Sequence, residues 1–192
     1  IEGRANSYGI TPCQEDLMSF ESAQRVVAEA KQQFSKVDGL VHLVGDVVTG
    51  SVLDTSFEDY SRVFQTNVRT LFDMTKAILP ELVKRDEAFI AGIASREAWR
   101  GSAAGSSIFA AAKSAVATFL RSLDGELQTT GVGVSIIYPM GYLDTSHNRK
   151  TLGKKEPFIQ SESIAQAILD AALSGQGGRL LEVPVYPPRA KG

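Results

Sequence analysis

Three apolar runs constrain this chain more than anything else in it: residues 40–44, 88–93 and 132–138. Each is continuous rather than alternating, and each is too short for a buried helix. Such runs suit strands covered on both faces, as in a parallel sheet. The stretches between them have helical spacing. Ser19 precedes Phe20, Ala23, Val26, Val27, Ala30 and Phe34, which mark one face of a serine-capped helix over 20–34. Thr55-Ser-Phe-Glu58 predicts a capping box opening a long helix to about Arg85, bent but not ended by Pro80. Ile108, Ala111, Ala112, Ala115, Val116, Phe119, Leu120 and Leu123 form the apolar face of a helix over about 107–129. Ser161 is expected to cap a last helix through Leu173, closed by Gly175. Shorter strands are expected at 10–14 and 179–185, and a polar loop at 147–159. Strand–helix alternation with no repeat and no linker implies one α/β domain over residues 1–192, a doubly wound parallel sheet.

A formal net charge of −2 without a basic run makes nucleic acid an unexpected partner. No apolar run is long enough to span a membrane. No signal peptide is expected from the polar start, and the lone Cys13 excludes an internal disulfide, so a reducing cytoplasm is expected. His42, His147 and Cys13 make no metal-ligand cluster, so no metal is expected. His42 within an apolar run reads as a satisfied core histidine. Residues 1–4, Ile-Glu-Gly-Arg, read equally well as a protease-site scar or, with 5–9, as the end of a helix.

Two features point to chemistry. Asn67 falls inside a helix, where asparagine is unfavourable unless its side chain has a task. Phe109 and Lys113 stand four apart and so share a side of their helix, off its apolar face. With Ser95 after the second run, they resemble the active-site set of the short-chain dehydrogenase/reductase family, in which a Tyr-x-x-x-Lys pair follows a serine. The family places that serine one position nearer its tyrosine than Ser95 stands to Phe109.

The resemblance implies a Rossmann-like fold and an NAD- or NADP-linked oxidoreductase acting on a small carbonyl or alcohol. It implies that Asn67 holds a catalytic water, that Ser95 belongs to the catalytic set, and that Lys113 holds the ribose and tunes the residue at 109. Asp16 and Leu17 would touch the adenine, Gly45 would let the backbone approach the ribose, and Pro139, Gly141 and Thr145 would hold the nicotinamide amide. The departures are specific. His42-Leu43-Val44-Gly45 stands where the family has Asn-Asn-Ala-Gly, and the stretch up to Thr145 carries one extra residue. The phosphate-binding Thr-Gly-x-x-x-Gly-x-Gly loop is not in the sequence, Gly101-Ser-Ala-Ala-Gly105 being the nearest stretch.

Phe109 replaces the tyrosine. A phenol with a pKa near 10 transfers a proton at neutral pH once a neighbouring ammonium lowers that pKa, and phenylalanine has no proton to transfer. Weak or absent turnover is therefore expected, with Ser95, water or Tyr142 as substitute donors. The alternative is a non-catalytic module that binds a ligand or a protein. A homodimer or homotetramer is expected through the helices at 57–85 and 107–129, with Val116, Phe119 and Leu123 central. The strand at 40–44 would need cover on its outer edge, from a partner or from residues 10–14.

Overall fold

A computed structural model describes residues 9–101, 104–152, 157–174 and 178–189. Its sheet has four parallel strands in chain order: β1 Gly39–His42, β2 Ala88–Ile93, β3 Val132–Pro139 and β4 Glu182–Val185. Leu40 lies beside Ile90, Ile90 beside Val134, and Ile137 beside Val183. The helices are α1 Phe20–Gln33, α2 Phe57–Phe64, α3 Thr70–Leu82, α4 Arg96–Arg100, α5 Ser107–Glu126, α6 Ser146–Leu152 and α7 Ser161–Leu173. Between α2 and α3 the turn Gln65–Arg69 is π-helical.

Two of the continuous apolar runs, 88–93 and 132–138, are explained by two layers; the run at 40–44, expected to be buried on both faces, instead alternates, with Leu40 and His42 buried and Val41 exposed. Ile90, Val134, Ile136 and Tyr138 pack in one cluster with Ala23 and Val27 of α1, Leu71, Met74 and Ile78 of α3, and Val116 and Leu120 of α5. Ile137 alternates to the other face, with Ile159 and with Ile164 of α7. A strand between two apolar layers has no polar side to alternate toward.

Several expectations need correction. Residues 10–14 form no strand: Pro12 lacks the amide a ladder needs, and the segment is exposed. They do not cover β1, which among the described residues pairs only with β2 and leaves Val41 and Leu43 exposed. The long second helix is capped by Ser56 rather than Thr55. Ser56 Oγ accepts from the Asp59 amide at 3.0 Å and donates to the Asp59 carboxylate, whereas the Thr55 hydroxyl donates to Ser51 O. That helix widens at Asn67 and ends at Leu82, with Pro80 inside it.

The last helix begins at Ser161, with Gln160 in the cap position and no side-chain cap bond; Gly175 lies outside the described residues, as do residues 1–8. The expected loop at 147–159 is helical at its start, and Ile159 is buried and bridged to Leu143. The final strand is shorter than expected, Glu182–Val185. Val116 and Leu123 are buried within the chain, so of the expected contact centre Phe119 alone stays partly exposed.

Candidate functional site

The site lies past the carboxyl ends of β1 and β2, where open parallel sheets bind ligands. The π-helical turn puts Asn67 there. Thr70 N–H bonds Gln65 O, five residues back, and Asn67 is 1% exposed. The Asn67 amide nitrogen donates to Val63 O and to Asp46 O, each at 2.8 Å. Its oxygen Oδ1 is buried with no partner among the described residues. A single-residue widening of this kind often marks a functional position in a helix.

Gly45 follows β1 and faces the same point. A Cβ placed on it would lie 2.7 Å from Asn67 Oδ1 and 3.1 Å from Lys113 Nζ. Glycine is therefore required by close approach, not by backbone conformation. Lys113 comes up from α5, 7% exposed, and donates to Ile93 O at 2.9 Å. The expectation that it points off the buried face is corrected: the carbonyl at the end of β2 draws it inward. Burial pushes its pKa down to about 8. The Phe109 ring, half-buried, is centred 6.0 Å from Nζ and offers its π face to the ammonium.

Ser95 caps α4, accepting from the Ala98 amide at 3.4 Å, and is 7% exposed. His42 is satisfied, as expected: its Nε2 lies 3.0 Å from Thr70 Oγ1. Burial first and the Lys113 charge second push its pKa down to about 4, so the ring is neutral at pH 7.

The structure thus brings together Gly45, Asn67, Lys113 and Phe109. The remaining candidates make the following contacts. Asp16 is exposed and accepts from the Met18 amide, while Leu17 packs on the core. Pro139 ends β3 beside Val185. A Cβ on Gly141 would meet Pro187 Cγ at 3.4 Å, and Thr145 Oγ1 accepts from the Asn148 amide at the start of α6. Tyr142 is exposed. Sequence reasoning missed Thr70, Asp46 and the Ile93 carbonyl. Two of these act through backbone oxygens, which carry no residue-type signal, and Thr70 is one threonine among several in a helical run. No group of three or more His, Cys, Asp or Glu able to hold a metal occurs among the described residues.

Residues 2–156 match the model of a family described as short chain dehydrogenase. Oxidoreductase UcpA of Salmonella typhimurium is 33% identical over 135 residues, which is 70% of this chain and 51% of the relative. An uncharacterized oxidoreductase of Staphylococcus aureus is 27% identical over 172 residues, 90% of this chain and 74% of the relative. The chain thus spans about half the length of the first of these, 51%. A crystal structure from Burkholderia xenovorans described as a short-chain dehydrogenase/reductase superposes with a TM-score of 0.81 at 28% identity, covering 92% of this chain and 72% of that one. ElxO with NADP bound shares the fold, with a TM-score of 0.84 at 18% identity over 92% of this chain and 77% of its own.

Proposed function

Because the chain belongs to the short chain dehydrogenase family, we propose that it is an NAD(P)-linked oxidoreductase for a carbonyl or alcohol substrate, slowed or silenced at proton transfer by Phe109. The observation that carries this reading is the convergence of Asn67 Oδ1 and Lys113 Nζ above Gly45. A buried acceptor without a donor suits a bound water, which can donate to Asn67 Oδ1, and the ammonium beside it suits a sugar hydroxyl, which can accept from Lys113 Nζ. The residues present therefore fit a ribose. The nicotinamide, when bound, supplies or accepts the hydride.

In this reading Lys113 and Gly45 hold the ribose, and Asp16 with Leu17 meets the adenine. Pro139, Gly141 and Thr145 meet the carboxamide. Asn67 holds a water, and Ser95 orients the substrate oxygen. What the chain lacks is an acid at 109. A serine hydroxyl is far weaker than a phenol near pH 7, and positioned acid–base help is worth about 10²–10⁴-fold in rate. The reading carries with it a cytoplasmic homodimer or homotetramer through α3 and α5, where Phe72, Leu79, Pro80, Val83 and Phe119 line an apolar groove. No helix among the described residues is long and apolar enough to cross a membrane.

The test is a panel of aldehydes and ketones assayed with NADH and NADPH before and after Phe109→Tyr. We expect cofactor affinity to stay near its original value and kcat to rise by about two orders of magnitude or more. Brisk turnover with Phe109 in place would overturn the slowed-enzyme reading. The second reading, a non-catalytic ligand-binding or protein-interaction module, is favoured by Phe109 itself; it predicts ligand binding without turnover even in Phe109→Tyr.

A further inference from the structure

Widening a helix by one residue removes backbone pairings, and here side chains offset the loss. Thr70 N–H reaches Gln65 O, so the Thr66 carbonyl loses the amide that an α-helix would bring it. The Thr70 hydroxyl donates to that carbonyl instead, at 2.6 Å. A hydroxyl has a single hydrogen to give. With that hydrogen on Thr66 O, the 3.0 Å contact between Thr70 Oγ1 and His42 Nε2 takes its hydrogen from nitrogen, and the Nε2–H tautomer is inferred from this pairing. A one-way chain results: His42 Nε2–H to Thr70 Oγ1–H to Thr66 O.

Both side chains are buried, His42 at 5% exposed and Thr70 at 1%, so neither bond exchanges freely with water. Past His42, the same stretch of chain supplies the Asp46 carbonyl that accepts from Asn67 Nδ2. The end of β1 and the loop after it thus grip the widened turn at two points, Thr70 and Asn67.

We propose that His42 is a positioning residue of the candidate site: by donating to Thr70 it sets the widened turn so that Asn67 Oδ1 faces Lys113 above Gly45. The role belongs to a residue that departs from the family's pattern, and it is a geometric one. Leucine cannot donate. Asparagine donates from an atom nearer the backbone than Nε2, whereas the glutamine amide nitrogen falls close to the Nε2 position. Rescue should therefore follow the reach of the donor rather than polarity alone.

The inference rests on reading Asn67 and Lys113 as one site, but its test uses neither cofactor nor substrate. Hydrogen exchange of the Asn67 side-chain amide, followed by NMR in the ligand-free chain, reports the placement of that group. His42→Leu and Thr70→Val should each speed this exchange about tenfold, the worth of one buried hydrogen bond. The double variant should add little to either single one, because both break the same chain. His42→Gln should stay within about twofold of the parent and His42→Asn should resemble His42→Leu. Thr70→Val keeps the side-chain shape and serves if His42→Leu fails to fold. Unchanged Asn67 exchange in Thr70→Val overturns the proposal, and so does equal acceleration in His42→Gln and His42→Leu. Loss of the oxidoreductase reading would leave these results standing, since no turnover is measured.

Discussion

Gly45→Ala adds one carbon at the point where the candidate site converges. The new Cβ would sit 2.7 Å from Asn67 Oδ1 and 3.1 Å from Lys113 Nζ, the first of these well inside normal carbon–oxygen contact. Asn67 cannot retreat freely, because its amide nitrogen is committed to Val63 O and Asp46 O at 2.8 Å each. Lys113 can give way only by loosening its 2.9 Å bond to Ile93 O. Overpacking of this kind costs about 1–3 kcal/mol, and each net hydrogen bond lost adds about 0.5–1.5 kcal/mol. Alanine would also lower the entropy of the unfolded chain, which offsets about 0.4–1 kcal/mol. The expected outcome is a loss of roughly 1–3 kcal/mol, read as a shift in urea midpoint at constant slope. Gly125→Ala is the matched control. It lies in α5 with nothing within 4 Å of its Cβ position, and should stabilise by about 0.5–1 kcal/mol on helix propensity. If Gly45→Ala were as stable as the parent, the close convergence of Asn67 and Lys113 on Gly45 would be refuted.

The two buried bases should shape stability against pH. Lys113, with its folded pKa pushed down to about 8, binds fewer protons folded than unfolded between about 8 and the free value near 10.4. Stability should therefore rise with pH across that window, by about 3 kcal/mol at most, and Lys113→Met should flatten the rise in urea titrations. His42, pushed down to about 4, should likewise lose stability as pH falls from about 6.5 toward 4, and His42→Gln should remove that part of the loss. Ser56→Ala should cost about 1 kcal/mol through loss of the α2 cap, with Thr55→Ala costing less, in thermal or urea unfolding.

The middle of the sheet was legible because its strands are covered on two faces and so appear as unbroken apolar runs: 88–93 is a strand from end to end, Ala88–Ile93, whereas the apolar run at 40–44 ends as a strand at His42 with Val41 exposed. The segment at 10–14 misled because Ile10 suggested a strand while Pro12, which breaks a ladder, sat inside it. Asn67 stood out by its poor fit to a helix, but nothing in residue type announced that the helix would widen there. That widening is held by the Thr70 hydroxyl and by His42, residues brought together only by the fold. Lys113 was misplaced for a related reason. Helical periodicity counts apolar side chains, whereas Lys113 is turned inward by the backbone carbonyl of Ile93.

That same carbonyl bears on what a phenylalanine at 109 means for the proposed function. A lysine retained only to lower a tyrosine pKa would be left without a partner once phenylalanine took that place, and an unpaired buried ammonium is costly. Here Lys113 keeps two supports that do not depend on residue 109 being tyrosine. The Ile93 carbonyl accepts one of its hydrogens, and the Phe109 ring presents a π face to its charge. The ammonium can thus stay beside Asn67 Oδ1 above Gly45 with no phenol present. On the proposed reading, the contact that would hold a sugar hydroxyl does not depend on an acid at residue 109. This is why binding and turnover are expected to separate in this chain, and why Phe109→Tyr should raise kcat while leaving cofactor affinity nearly where it was.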